Sequence, residues 1–217
     1  VSNGDLEVNR ILTEKIKQLT PNIPIVSEET VDLNKKNTFN TYWLIDPIDG
    51  TKEYIAGREE YTLNAGLIYK NNPVLGVIGV PKKNQIFYSY GKNESFLLEN
   101  NIVKKLNCEK KTPQGKIIAL TNNVKPTELI LRKFKEFGVT SFRKLSSSYK
   151  YCLIATGEYD LYLDEVRAKE WDDAAGHAIA ENAGAIVTSL DNERFKYGKE
   201  DYKNPTILIR RSQNLND

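Results

Sequence analysis

Apolar residues recur at helical spacing behind Asp5, with Val8, Ile11, Leu12, Ile16 and Leu19 on one side, and a Thr20-Pro21-Asn22 turn closes the segment. "IPIVSEE" then reads as a short strand that finishes in two acids, Glu28 and Glu29. After a polar loop, "YWLI" predicts a second buried strand, stopped by Pro47, which lacks the N–H that a central ladder needs. From Thr62 to Val103 the pattern is β throughout. "TLNAGLIY", "PVLGVIGV", "QIFYSY" and "SFLLEN" are separated by Asn-, Gly- and Pro-rich turns, as in an antiparallel meander. The rhythm then changes: "KIIAL", "TSFRKL", "YDLYL" and "AIVTSL" (strands) alternate with "TELILRKFKEF", "SYKYCLIATG" and "DDAAGHAIAENAG" (helices). Such alternation predicts a sheet covered by helices. The change falls between Cys108 and Gly115, which predicts an N-terminal α+β unit over residues 1–110 and a C-terminal α/β unit over 111–217.

Composition narrows the function classes. A chain of 217 residues can bury one large core or two small ones without staples. Thirty-one basic against 29 acidic residues leave a formal net charge of +2, so a nucleic-acid partner is not expected. No apolar run approaches the ~18 residues of a membrane span. Cys108 and Cys152 lack close spacing and read as buried thiols in a reducing cytoplasm. The sequence starts at Val1 without a Met, so the cytoplasmic expectation is bounded only weakly. A single histidine, His177, sits in mid-helix and is expected to be structural. Its isolation excludes a Ser-His-Asp triad and a His-rich zinc site.

The chemistry concentrates in "YWLIDPIDGTKEYI". Asp46 and Asp49 stand three residues apart at a strand-to-turn corner, with no basic residue between them. Two carboxylates so close repel unless a proton or cation lies between them. An all-oxygen set of carboxylates and main-chain carbonyl suits a hard divalent ion, Mg²⁺ first. Gly50 lets the main chain approach a ligand, and the N–H groups entering "TKEYI" from Thr51 form an anion-binding end. Acids for a metal beside amides for phosphate suggest metal-assisted hydrolysis of a phosphate ester. The bland alternatives are an Asx-turn loop for D-P-x-D-G-T, a solvated strand end for Glu28-Glu29, and an N-cap for Asp172.

Three blocks, "SEE", "WLIDPIDGTKEY" and "EWDDAAGHAIAENAGA", resemble in order and spacing the signatures of the inositol monophosphatase superfamily of Mg²⁺-dependent, lithium-sensitive phosphatases. The chain is most similar to the 3′(2′),5′-bisphosphate nucleotidase branch, the CysQ type, which follows D-G-T with Lys-Glu-Phe or Tyr, as Lys52-Glu53-Tyr54 do here. "SSSYKYCLIATGEYDLY" resembles the segment in which that branch recognises its nucleotide with a serine and a lysine, here Ser147 and Lys150.

The resemblance implies an α+β layered sandwich, αβαβα, with the site between its halves. It implies Glu28, Asp46 and the Ile48 carbonyl on a first metal, and Asp46, Asp49 and Asp172 on a second. It implies Asp5 orienting the Thr51 hydroxyl, with Glu28 helping to activate water, and Gly50, Thr51, Lys52, Ser147 and Lys150 on substrate. The implied activity is removal of the 3′-phosphate of adenosine 3′,5′-bisphosphate by a monomer or homodimer, in sulfur metabolism. An inositol or sugar-phosphate phosphatase of the same fold is the alternative, and a silent phosphometabolite binder is disfavoured because every implied ligand is present. The pattern departs at Asp164, where the branch has an arginine; an acid there would repel a bisphosphate, unless Arg167 or Lys169 compensates. The family also carries a helix ahead of its first acidic motif, and here Val1 falls just before that motif.

Overall fold

The computed structural model describes residues 2–165 and 168–216. Helix α1 (Asn3–Leu19) starts at a capping box in which Ser2 and Asp5 bond each other's main-chain N–H, so the acid that opens the helix is oriented by the cap itself. Its apolar stripe packs Ile16 against Trp43, Ile45 and Ala65. Those residues belong to the outer face of a seven-stranded sheet in sequential order: β1 (Ile25–Ser27), β2 (Thr41–Asp49), β3 (Thr62–Tyr69), β4 (Asn72–Val80), β5 (Gln85–Gly91), β6 (Glu94–Glu99) and β7 (Ile102–Lys105). Only β1–β2 is parallel; the rest is the expected meander.

One sequence expectation is corrected here. β2 does not stop at Pro47 but runs on to Asp49, with a register slip against β3 between Asp46 and Asp49. On its other edge β1 pairs only with Trp43–Ile45. Pro47 therefore stands in a bulge with no ladder position to disrupt, and the bulge turns the corner on which the acids lie.

The second sheet has five strands in the order β11 (Ile186–Ser189), β12 (Ile207–Arg210), β10 (Leu161–Asp164), β8 (Ile118–Thr121), β9 (Ser141–Lys144). Its β8, β9 and β10 are mutually parallel and β12 is antiparallel to β10 and β11. β12 went unread in the sequence, since "TILIRR" sits outside the β/α alternation. Outside this sheet lies α3 (Glu128–Glu136), whose Ile130 and Phe134 pack on Ile117, Ala119, Leu161, Leu163 and Leu208.

Between the sheets run α4 (Tyr149–Ala155) and α5 (Glu170–Asn182), completing the layers α1, sheet, α4/α5, sheet, α3. This is the αβαβα sandwich expected. The central apolar cluster draws on both sheets, joining Leu44, Ile78 and Phe87 to Leu120, Tyr162 and Ile209 around Ala174, Ala175 and Ile179 of α5. Helix α5 lies close because Gly66 and Gly76 pair across β3 and β4 beneath it. A Cβ on Gly76 would fall 2.1 Å from the Ala175 carbonyl oxygen. That approach seats the first turn of α5 against the β2 corner. Cys108 and Cys152 are buried free thiols. Among the described residues no helix is long and apolar enough to cross a membrane.

Candidate active site

Four elements deliver carboxylates to the β2 corner. Asp46 projects from β2 and is 2% exposed; its Oδ1 has no hydrogen-bond partner. Glu28 follows β1 on the exposed rim, its N–H donating to the Ile45 carbonyl at 3.1 Å. Asp172 lies in the first turn of α5 and accepts from the Lys169 N–H at 2.7 Å, so it serves as a cap residue of the helix while its carboxylate stands at the corner. One carboxylate oxygen from each of Glu28, Asp46 and Asp172 lies within 4.8 Å of the others. Asp49 ends β2 beside them, accepting on Oδ2 from the N–H and the hydroxyl of Ser148. From α1, Asp5 comes within 3.4 Å of the Thr51 hydroxyl, which is also 3.1 Å from the Ile48 carbonyl. Among the described residues no Lys or Arg forms an ion pair with Asp46, Asp49 or Asp172.

The electrostatic consequence is severe crowding. Burial, and then the charges of Asp49, Asp172 and Glu28, hold the Asp46 carboxyl well above the usual carboxylate range. Burial and the charges of Asp49 and Asp173 do the same to Asp172. Glu28 is raised by partial loss of water and by Glu29, Asp49 and Asp5. A buried carboxylate oxygen without a partner, in an all-oxygen cluster without a cation, is a donor set that fits a hard divalent ion. Glu28, Asp46, Asp49, Asp172 and the Ile48 carbonyl are the residues that could hold it.

A cavity of about 230 Å³ opens beside this cluster, lined by Asp49, Asn122, Ser146, Lys150, Tyr162 and Asp172 among others. Lys150 is 5% exposed, and its ammonium lies 5.5 and 5.2 Å from the ring centres of Tyr151 and Tyr162. Its one hydrogen bond within the described residues is a long one, 3.4 Å to the Ser147 carbonyl. Asp173, also on the cavity wall, is pushed up to about 6 by burial, against the opposing pull of Lys150, Asn204 and Tyr151.

Other expected residues take varied positions. Gly50 has φ 89°, a left-handed conformation that favours glycine, and it leads into α2 (Thr51–Ile55) with no side-chain cap. Lys52 is exposed on that helix. Ser147 is fully buried, its hydroxyl accepting from the Tyr149 N–H at 3.4 Å; the serine that lines the cavity is Ser146. Asp164 is not among the described residues that line the cavity. Its carboxylate accepts from the Thr121 hydroxyl and the Asn122 N–H, both at 2.6 Å. Lys169 turns its ammonium to the Asp201 carbonyl at 2.7 Å, and Arg167 lies outside the described residues. His177 is buried against the Tyr197 hydroxyl at 3.0 Å, as a structural residue would be.

Sequence reasoning missed Asn64, Asn122, Ser146, Ser148 and Tyr162. The serines had a signal, the run "SSS", which was read at one position only. Asn64 and Asn122 had none, because their place depends on strand register and sheet order.

The chain matches the model of the inositol monophosphatase family over residues 1–216. It is similar to the 3′(2′),5′-bisphosphate nucleotidase CysQ of Salmonella typhimurium, 33% identical over 211 residues covering 96% of this chain and 84% of that protein. Among solved structures it resembles CysQ from Bacteroides thetaiotaomicron, at 29% identity and a TM-score of 0.78, over 93% of this chain and 82% of that one. An IMPase/NADP phosphatase complexed with Mg²⁺ and phosphate is 20% identical, with a TM-score of 0.79 over 97% of this chain and 77% of that one, a likeness of fold alone.

Proposed function

Because the chain belongs to the inositol monophosphatase family, matched over residues 1–216, we propose that it is a Mg²⁺-dependent, lithium-sensitive phosphatase that removes the 3′-phosphate of adenosine 3′,5′-bisphosphate. The observation that carries the substrate class is Lys150, a buried ammonium on the wall of a cavity it shares with Asp49 and Asp172. A cation kept out of water, with Asp173 acting on it from the same wall but no ion pair within 4 Å among the described residues, is suited to an anion that arrives with the substrate. Similarity to proteins named bisphosphate nucleotidase supports the same reading.

Glu28, Asp46, Asp49, Asp172 and the Ile48 carbonyl would hold the metal. When bound, Mg²⁺ supplies Lewis-acid charge to the phosphoryl oxygens and lowers the pKa of the attacking water. The chain's own groups do the rest. Thr51, whose one hydroxyl proton goes to Asp5 at 3.4 Å when the Ile48 carbonyl at 3.1 Å is taken up by the metal, keeps a lone pair free to hold the water. Glu28, on the exposed rim, would take the proton as the water oxygen bonds to phosphorus and the bond to the 3′ oxygen breaks, that oxygen leaving as a hydroxyl with a proton from solvent. Uncapped N–H groups entering α2 behind Gly50 meet the charge that grows on the phosphoryl oxygens. Lys150 neutralises the second phosphate, away from the reacting one.

A specific departure favours a second reading, a phosphatase for monophosphates of inositol or sugars. Asp164 stands where the nucleotidase branch carries a cation. Kinetics on both substrates separate the two. Lys150→Ala should raise KM for adenosine 3′,5′-bisphosphate about tenfold, on the order of 1–3 kcal/mol for a partly desolvated ion pair, with kcat far less changed. Inositol 1-phosphate, which lacks the second phosphate, should be little affected. Equal losses on the two substrates would leave a phosphatase of this fold with a different substrate.

A further inference from the structure

Ser148 has the place of a helix cap but not the role. It immediately precedes α4 with helical backbone angles, φ −63° and ψ −6°, and its side chain bonds no N–H of that helix. Its hydroxyl instead reaches the Asp49 carboxylate and the Asp172 carbonyl, while its N–H also donates to Asp49. From β3, the Asn64 amide donates to the same hydroxyl oxygen at 3.0 Å. Both residues are buried, Asn64 at 1% and Ser148 at 0% exposure.

A hydroxyl has one proton to give. With Asn64 occupying a lone pair, that proton must go forward to the corner, and the charged carboxylate is the stronger acceptor than the carbonyl. Both Ser148 donors then fall on one oxygen of Asp49, Oδ2, and neither on Oδ1. A carboxylate pinned in this way cannot rotate to exchange its oxygens, and it stays oriented although Asp46 and Asp172 repel it. Outer partners that orient a ligand commonly govern metal affinity.

We propose that Ser148, itself held by Asn64, is a positioning residue that aims Asp49 at the acid cluster and thereby sets the divalent-cation affinity of the site. The proposal rests on the metal-dependent reading above. It also makes the corner a joint: Asp49 belongs to the first sheet, and its orientation is dictated by the segment leading into α4.

The test is direct binding of Mn²⁺ to the full chain, followed by the electron paramagnetic resonance signal of the free ion, with urea unfolding in chelator alongside. Ser148→Ala should weaken Mn²⁺ binding about tenfold. In the Asp49→Asn background the same change should cost no further affinity, because its effect passes through Asp49. A single variant with wild-type affinity, whatever its stability in chelator, overturns the proposal. So does a full additional loss in the double variant. Should Ser148→Ala fail to fold, Ser148→Cys keeps the volume with a poor donor and should show the same weakening; wild-type affinity there is equally fatal. Wild-type protein that binds no Mn²⁺ overturns the metal-dependent reading itself and the proposal with it, an outcome visible before any variant is made.

Discussion

At the scale of single residues, the acids at the β2 corner do two opposed things. Asp46 is buried without a partner for Oδ1, a destabilising arrangement in the absence of a cation. Because its folded pKa lies above its unfolded one, its favourable contribution is present below the ordinary carboxylate pKa and is lost as pH rises through the folded value. Asp46→Asn should therefore unfold at a higher temperature than wild type in chelator at pH 7. The difference should shrink as pH falls toward 4, and the variant should lose the rise in Tm that Mg²⁺ gives the wild type. Calorimetry at the two pH values, with and without Mg²⁺, measures all three. Asp49→Asn tests function on the same corner. It should reduce phosphate release by more than the ~10–100-fold typical of an outer-shell partner, while remaining folded by circular dichroism. Full turnover by this protein, or undiminished wild-type turnover in excess chelator, would refute the metal-dependent mechanism.

At the scale of elements, the site depends on how closely α5 lies on the first sheet. Gly66 and Gly76 face the helix as a pair, and a methyl on Gly76 would enter the main chain of α5 at Ala175. Helix backbone cannot yield as a flexible side chain would, so Gly76→Ala should destabilise the fold by about 3 kcal/mol, the upper end of overpacking costs. It should also displace Asp172, one turn away, so that Mg²⁺ stabilises the variant less than wild type. Equilibrium urea unfolding with and without Mg²⁺ checks both parts. If the variant is as stable as wild type, the contact between helix and sheet is looser than the structure has it.

At the scale of the whole molecule, the layers impose a pH dependence that no local segment would show. His177 lies in mid-α5, and the chain beyond the helix folds back to cover it with Phe195 and Tyr197. Burial, with the positive charges of Arg194 and Lys199, pushes its pKa down to about 3. The unfolded chain binds that proton near the ordinary pKa of 6.5 and the folded one does not, so stability falls as pH drops from 6.5 toward 3. Compared with His177→Gln, which cannot be protonated, wild type should lose about 1.4 kcal/mol of relative stability per pH unit across that window. Denaturant midpoints of both proteins at pH 7 and pH 5 provide the comparison. A constant gap would mean that water reaches the imidazole.

Much of this architecture was legible in the sequence, because period and punctuation are local properties. The meander, the β/α alternation and the three acidic blocks all follow from side chains within a few positions of one another. So did the residue types of the candidate site: Glu28, Asp46, Asp49 and Asp172 are conspicuous as acids at predicted element ends, with no basic residue between Asp46 and Asp49. What the sequence by itself could not determine was everything that depends on sheet register and layer order. Pro47 reads as a stop until the bulge opposite β3 gives it a place within β2. Asp164 reads as a charge in the cavity until β8, its parallel neighbour, supplies Thr121 and Asn122 to bind it. Ser148 reads as one serine in a run of three until α5, β3 and the β2 corner converge on its hydroxyl. The contacts of Asp164 with Asn122 and of Ser148 with Asn64 and Asp49 join residues 42 to 99 positions apart in the chain, and only close packing of the layers, which fixes distances to a fraction of an ångström, can bring them together.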